Sequence, residues 1–555
     1  MNNMKRLITI RSLFYACWFL LSLLQAAETE LFDDEAYYWV YSNFLDWGYF
    51  DHPPMIALLI KLGMLIFSGE LGVRFFVLVI GTLSIFIIEK LTNPDNLKLF
   101  YAIVLNIAIL QIGGIIAVPD IPLLFFTALF FWVYKKYSEQ INWMNAVWLS
   151  ITVALLLYSK YHGLLIILAT LLSNFKLLKQ PATWLVIVLS ILFFMPHILW
   201  QLEHGLPSLN YHLFERVSPP YSLSFTTDYL AGQLLIAGPL LGWLLIWSAF
   251  RFKPTDQTQK AMRWSLIFVY LLFFVSSFKS RTEANWTVPL LVPLIVLAYH
   301  HLEKNEKFSK WVYRLLPFSL VLIFTVRIFM MLDTPLIKNL PKDEFHYNRV
   351  WTNTIKEKSN GLPVVFTNSY QRASKYWFYT GDTSFSLNTH LYRRSNYNFW
   401  PLEMQLQNKE VFMVGSKGTT DLTQDLQSGN KEFSTDTIEH FSSYSQIILS
   451  QLSLSFDKAD LTITVNLNAG ASSPNILNYA FERHPEIILI LYPGNKQQPI
   501  LIKTGKYLDN INGTEIAVKA SLPALDRKVY QFRWGLMGSY AEPSINSSVY
   551  KLIID

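Results

Sequence analysis

Two short acidic stretches stand beside long apolar runs, and they are the first places where chemistry could sit. Residues 31–39 read Leu-Phe-Asp-Asp-Glu-Ala-Tyr-Tyr-Trp, which sets Asp33, Asp34 and Glu35 just beyond the first apolar run. A carboxylate there could take a proton from an acceptor hydroxyl, bind a metal or hold an amino group. The same triplet also suits a helix start, with Asp33 or Asp34 as cap and Glu35 near the positive end of the helix. Asp120, in Ala-Val-Pro-Asp-Ile-Pro, stands alone between two apolar runs with almost no loop between them. A carboxylate buried in hydrocarbon is costly, so Asp120 must face water, a cation or a cavity. It also suits a cap for the run that starts at Ile121, with Pro122 near the first turn.

Cations occupy comparable positions. Lys160 and His162 lie in Tyr-Ser-Lys-Tyr-His-Gly, Arg216 in Phe-Glu-Arg-Val, and Lys279 and Arg281 in Phe-Lys-Ser-Arg-Thr-Glu-Ala-Asn-Trp, which also holds Glu283 and Trp286. Fixed positive charge in a low-dielectric site is what a phosphate needs. Each cation alone also suits an interface anchor whose stem snorkels to the headgroups. Taken together, beside lone carboxylates, they point to an anionic amphiphile held at a membrane boundary. Asp51 and His52 precede Pro53-Pro54, which imposes an extended entry into the next apolar stretch. Asp51, His52 and His204, with His162, are weak candidates for a divalent metal, because their spacing matches no compact ligand motif. Trp39, Trp47 and Trp286 suit an aromatic belt, with stacking on a sugar as the sharper alternative. There is no Walker loop, no His-Glu-x-x-His and no credible dinucleotide fingerprint.

The elements that must position these residues follow from composition. The chain has 555 residues, 52% hydrophobic and only 15% charged, against about 25% charged in soluble domains. A spanning helix needs about 20 mostly apolar residues. Spans are expected near 7–27, 71–90, 98–117, 121–137, 143–159, 163–178, 183–200, 228–250, 263–279, 287–302 and 311–331, eleven in all. Residues 55–67 are too short to span and contain Lys61, so they read as a helix lying in the interface. The first run resembles a cleavable leader as well as a first span; the polytopic pattern downstream favours a retained helix. The net charge of +6 is spread over short loops rather than one basic patch, so nucleic acid is not an expected partner. Lys5, Arg6, Arg11, Lys90, Lys98, Lys135, Lys136, Lys176, Lys179, Arg251, Lys253 and Lys304 all fall on one side of the expected spans. The positive-inside rule makes that side cytoplasmic, with the N-terminus. Residues 332–555 and the acidic loops then lie outside. Cys17 is the single cysteine, so no disulfide forms within the chain.

The composition shifts near Met330 from apolar runs to polar, turn-rich sequence. Val364-Val365-Phe366 reads as a buried strand, and Gln371 to Tyr379 as a helix stopped by Gly381. Beyond Asn430, runs such as 461–467 and 486–492 alternate between Pro, Gly and Asn turns, as in an antiparallel sandwich. The expected architecture is a polytopic α-helical membrane domain over 1–331, an extracytoplasmic α/β domain over 332–430 and a β-rich domain over 431–555.

Five phrases in this order have a family resemblance. They are Asp33-Asp34-Glu35-Ala-Tyr-Tyr-Trp continuing to Asp51-His52-Pro-Pro, the lone Pro119-Asp120, Ser159-Lys160-Tyr161-His162-Gly163, the stretch from Pro196-His197 through His204 to Arg216, and Ser280-Arg281-Thr-Glu283-Ala-Asn-Trp286. The set resembles the family 39 membrane glycosyltransferases of GT-C fold, the type of the dolichyl-phosphate-mannose–protein mannosyltransferases, with the lipid A aminoarabinose transferase as a relative. It covers about 1–400. The resemblance implies a multi-span membrane enzyme that makes an inverting transfer from a polyprenyl-phosphate sugar, without nucleotide sugar. It implies that Asp34 and Glu35 match the acidic pair of the first outer loop and Asp120 the acid of the second. Asp34 would be the base, Asp120 the second choice or an orienting group, and Glu35 more a loop-shaping residue. Family members often carry a Lys where His52 stands, so donor phosphate would fall more to Lys160, Arg216, Lys279 or Arg281. His162, Glu283 and Trp286 would complete the substrate site. No cofactor is required by this chemistry, and a divalent metal stays open. The acceptor would be lipid A or lipopolysaccharide, another envelope glycan or a protein, with membrane lipids as partners, in a bacterial-type inner membrane. Tyr392-Arg393-Arg394 could face an anionic acceptor, or form a solvated loop. The alternative from another class is a transporter or flippase for a lipid-linked sugar. That alternative calls for charged or broken helices near mid-membrane in two related halves, whereas the ionisable residues here gather at one edge.

Overall fold

The computed structural model describes residues 2–211, 221–333, 343–419, 421–471, 484–492, 498–509, 515–523 and 529–553, with side chains from residue 9. They form two compact units, Met1–Leu199 with Ser218–His346, and Trp200–Val217 with Tyr347–Asp555. The segment 200–217, expected within the membrane part, therefore groups with the tail.

The first unit is helical. Its elements are α1 (Asn2–Glu28), α2 (Asp33–Asn43), α3 (Met55–Met64), α4 (Gly69–Thr92), α5 (Leu97–Asn106), α6 (Ala108–Gln111), α7 (Asp120–Glu139), α8 (Trp143–Ser159), α9 (Gly163–Ser173) and α10 (Pro181–Glu203). After α11 (Pro207–Asn210) of the other unit come α12 (Leu223–Ala237), α13 (Gly242–Arg251), α14 (Gln257–Ser277), α15 (Leu291–Glu303) and α16 (Glu306–Met331). Several starts are written into the sequence. Asn96, Asn142 and Asp256 each accept a hydrogen bond from the backbone three residues on, at 3.1, 2.8 and 2.8 Å, which satisfies a donor that the helix itself cannot.

Every expected span coincides with helix, but not always with one straight helix. Among the described residues six helices are long and apolar enough to cross a membrane, and up to eight spans result if each of two bent pairs is one span. The expected spans at 98–117 and 228–250 break, by 81° between α5 and the helix after Asn106 and by 86° between α12 and α13. The second break falls at Gly238-Pro239, where Gly238 has φ +139°. A Cβ on Gly238 would stand 3.0 Å from the carbonyl oxygen of Asn106. The two breaks thus touch, and glycine permits it. α8 and α9 have only 17 and 11 residues, and α7 carries Lys135 and Lys136 near its end, so these three fall short of the same standard. The expected interfacial helix exists as α3. It lies so close to α4 that a Cβ on Gly63 would meet the Gly72 carbonyl oxygen at 2.1 Å.

The core gathers around α15, whose residues from Leu291 to Tyr299 are all buried. An all-round apolar helix belongs in the middle of a bundle. Helices with apolar outer faces surround it: Leu199, Trp243, Leu271, Val275, Phe318 and Val321 are all exposed. Such a surface is stable in lipid and not in water. The chain is a multi-pass membrane protein.

In the second unit, α17 (Asn348–Ser359) and α18 (Tyr370–Thr380) accompany a five-stranded sheet of order β2-β1-β3-β5-β4, with β1 (Val364–Thr367), β2 (Ser384–Leu387), β3 (Val411–Ser416), β4 (Gln424–Ser428) and β5 (Lys431–Ile438). β1 runs parallel to β2 and β3, while β5 is antiparallel to β3 and β4. Gly381, at φ +78°, ends α18 as the sequence indicates. Then two antiparallel sheets follow, β6 (Ile447–Asp457), β7 (Thr462–Ala471) and β10 (Glu515–Ser521) in one, and β8 (Glu486–Tyr492), β9 (Ile500–Tyr507), β11 (Val529–Leu536) and β12 (Tyr550–Ile553) in the other. Ile463, Val465 and Leu467 of one sheet share a buried core with Ile487, Leu489, Leu491, Phe532 and Trp534 of the other. Their spacing of two is the sandwich signature.

Candidate active site

Of the acids and cations singled out above, Glu35, Asp120 and Lys160 come together at one end of the first unit, where α1 finishes, α2, α4, α7 and α9 begin and α8 finishes. Asp34 occupies the first turn of α2 and is half-buried. Its neighbour Glu35 is fully buried. Glu35 Oε1 accepts from Arg74 Nε at 2.7 Å and from the Ala117 backbone N–H at 2.7 Å. Its Oε2 accepts from Arg74 Nη2 at 2.6 Å and from the Phe32 N–H at 2.9 Å. Arg74 spends its other donors on the carbonyls of Ala26, Thr29 and Glu30 at 2.6–3.0 Å, so all five guanidinium N–H groups are used. Both Glu35 oxygens are saturated and buried, an arrangement that suits the loop-shaping role expected of this residue more than proton transfer.

The bond to Ala117 also sets the second acid. Ala117 lies three residues before Asp120, the first residue of α7. Asp120 is buried, and its Oδ1 receives Lys160 Nζ at 2.8 Å. Asn285 Nδ2 donates to the other oxygen at 3.2 Å. Lys160 is the extended residue between α8 and α9, with φ −165° and ψ 143°. That backbone turns its stem inward, and only 7% of each of the two side chains is exposed. An ammonium has three N–H donors; Lys160 makes one hydrogen bond among the described residues, the one to Asp120. Two donors are left for a ligand.

His162, two residues on, places its ring 5.4 Å from that of Trp286 and 5.6 Å from that of Phe273. Trp286 neighbours Asn285, so His162 and Trp286 border the Asp120–Lys160 pair. Lys279 and Arg281 are exposed, and Arg281 pairs with Glu283 at 3.4 Å on the surface. No hydrogen bond ties these three to Asp120 or Lys160 among the described residues. Arg216 lies outside the described residues. Asp51 is buried and accepts from the Tyr41 hydroxyl at 2.6 Å. His52 packs edge-on against the ring of Tyr38 at 5.6 Å. His204 belongs to the second unit, stacked on Trp200 at 4.2 Å, with its Nδ1 on the Trp200 carbonyl at 2.8 Å. Among the described residues no three His, Cys, Asp or Glu side chains gather as a metal site. In the second unit, Arg393 is held by the Tyr370 hydroxyl at 2.7 Å and over the rings of Tyr211 and Tyr370, and Arg394 lies over Phe399.

Sequence reasoning missed three groups here. Arg74 was legible as a lone cation inside the apolar run Gly-Val-Arg-Phe-Phe-Val, a position that demands a partner. Asn285 and His197 fall within the fifth and fourth phrases of the resemblance, but residue type alone marks out neither a neutral amide nor a histidine inside α10.

A family model described as dolichyl-phosphate-mannose-protein mannosyltransferase matches residues 51–200, which include Asp120 and Lys160. The lipid A galacturonosyltransferase of Rhizobium johnstonii is 24% identical over 287 residues, 49% of this chain and 60% of that protein. The chain thus spans about 60% of the length of that relative. The crystal structure of ArnT from Cupriavidus metallidurans in the apo state superposes with a TM-score of 0.57 at 12% identity, over 78% of this chain and 98% of that one. The same protein bound to undecaprenyl phosphate gives 0.56 at 13% identity, over 77% and 98%. The fold is therefore the ArnT-like, GT-C type of polytopic helical fold.

Proposed function

We propose that the chain is an inverting glycosyltransferase that moves a sugar from a polyprenyl-phosphate donor to a lipid A-type acceptor. The observation that carries this reading is Lys160, a buried ammonium with two donors unspent among the described residues, beside a carboxylate. Burying a charge is expensive, and a bundle that only needed stability would do as well with apolar side chains. An anionic lipid phosphate is the ligand that would use those donors. The ArnT structure of the same fold was crystallised with undecaprenyl phosphate.

In the reaction, the Asp34 carboxylate removes the proton from an acceptor hydroxyl. The oxygen attacks the anomeric carbon, the bond from that carbon to the phosphate oxygen breaks, and polyprenyl phosphate leaves with the electron pair. Lys160 stabilises the charge that grows on that phosphate. The leaving group is already anionic, so no protonated acid is needed opposite it. Asp120 holds Lys160 and orients the acceptor. Lys279, Arg281, Arg216 and His52 are further phosphate contacts, and His162, Glu283 and Trp286 line the sugar and acceptor. A lipid acceptor is favoured over a protein or another glycan by the Rhizobium relative, a lipid A galacturonosyltransferase. The skew of Lys and Arg supports a cytoplasmic N-terminus in a bacterial inner membrane, with the site and the second unit on the outer side.

The test is transfer by detergent-purified protein, given a panel of polyprenyl-phosphate sugars and lipid A and treated with a metal chelator, with products weighed by mass spectrometry. Asp34→Asn is expected to abolish transfer while the protein stays inserted and folded. Near-normal turnover by that variant removes Asp34 from the role. Lipid-linked sugar that moves only across an intact bilayer, with none transferred in detergent, makes the protein a flippase.

A further inference from the structure

His197 lies on α10, outside every group assigned above, yet it touches both halves of the site. It is buried. Its Nδ1 stands 2.7 Å from the Trp47 carbonyl oxygen, and its Nε2 stands 3.0 Å from the Tyr161 hydroxyl. A carbonyl can only accept, so Nδ1 carries the proton and donates. In the neutral ring Nε2 is then a bare lone pair, and the Tyr161 O–H donates to it. The rings of Tyr158, Tyr161 and Phe194 surround the imidazole, with centroids 6.4, 5.7 and 4.8 Å away. That apolar wall keeps water from competing for either bond.

The two partners belong to different parts of the site. Tyr161 immediately follows Lys160 in the turn between α8 and α9. Trp47 lies in the loop that continues from α2, the helix that carries Asp34 in its first turn. One imidazole therefore bridges the segment of the proposed base and the segment of the proposed phosphate ligand. The Trp47 ring adds a second contact to the same turn, 6.1 Å from that of Tyr158.

We propose that His197 is a positioning residue for transfer: as the neutral Nδ1–H tautomer it clamps the loop after α2 to the Lys160 turn. The role rests on the transferase reading. Misplacing a catalytic group by a fraction of an ångström lowers turnover more than it lowers substrate affinity. Substitution at His197 should therefore act on kcat and spare the donor KM.

The experiment compares wild type with His197→Ala, His197→Gln, His197→Asn and Tyr161→Phe. It uses full-length protein in detergent, steady-state transfer from polyprenyl-phosphate sugar, and hydrogen exchange of residues 44–52. In His197→Ala, kcat is expected to fall about tenfold or more with the donor KM within about twofold, and exchange in 44–52 to rise. Gln can present an acceptor to Tyr161 and Asn a donor to Trp47, so each should recover part of the loss. Tyr161→Phe keeps the packing and should lower kcat about threefold to tenfold, the worth of one hydrogen bond. Unchanged kcat in both His197→Ala and Tyr161→Phe overturns the proposal, as does a loss in Gln and Asn equal to that in Ala, which would mean packing alone. A wild type that transfers nothing sinks the transferase reading, and unchanged exchange in His197→Ala then sinks the clamp separately.

Discussion

Two buried acid–cation pairs stand at the same end of the helical unit, and they are built to opposite plans. Glu35 and Arg74 are shut away, at 0 and 1% exposure, with four bonds on the carboxylate and five on the guanidinium. Asp120 and Lys160 are slightly more open, joined by one bond, with Asn285 on the far oxygen and two ammonium donors unspent among the described residues. A saturated pair can do nothing further except hold chain segments together. An unsaturated pair retains an unmet demand for hydrogen bonds, and at a membrane boundary a charged ligand can meet it. Saturation, more than burial or charge, separates scaffold from site.

The contrast can be broken from either side. The largest expected effect comes from Glu35→Ala, which strands the Arg74 cation among buried carbonyls. Breaking one partner of a buried pair costs about 3–5 kcal/mol, so the yield of folded protein and its melting temperature in detergent should both collapse. If this variant stays stable, the pair is not the bolt described here. Next comes Lys160→Gln, which keeps a hydrogen bond to Asp120 and removes the charge. Turnover should fall about 10²–10³-fold, with a smaller loss of thermal stability than in Glu35→Ala, because Asp120 keeps hydrogen bonds from the new amide and from Asn285. A matching fall in stability would erase the distinction between the pairs. The smallest effect belongs to Arg281→Ala. An exposed ion pair contributes about 0–1 kcal/mol, so stability should not move measurably, and any loss of transfer that appears should be in donor KM. A large loss of kcat there would bring Arg281 into the chemistry despite its exposure.

Much of this was legible from residue types alone. Asp34, Asp120 and Lys160 declare themselves because an ionisable side chain flanked by apolar runs needs a reason to be there. The strand at Val364, the stop at Gly381 and the alternation in 486–492 came through because local propensity and tertiary packing agree at those points. The division of labour between Glu35 and its neighbour did not, since it depends on Arg74 arriving from a helix 39 residues away. The bends in 98–117 and 228–250 were hidden for a similar reason. Hydropathy records how apolar a run is and not its direction, and the break at Asn106 depends on where Gly238 comes to rest. His197 is one histidine within a long apolar helix, and what distinguishes it is that Trp47 and Tyr161 meet its two nitrogens.

One bond among those above has a mechanical meaning. Glu35 grips the peptide of Ala117, so the helix that carries Asp34 and the loop that delivers Asp120 are yoked. Neither can retreat to admit a bulkier substrate without dragging the other. Whatever breadth of acceptor this protein tolerates must come from parts that are not harnessed to that carboxylate.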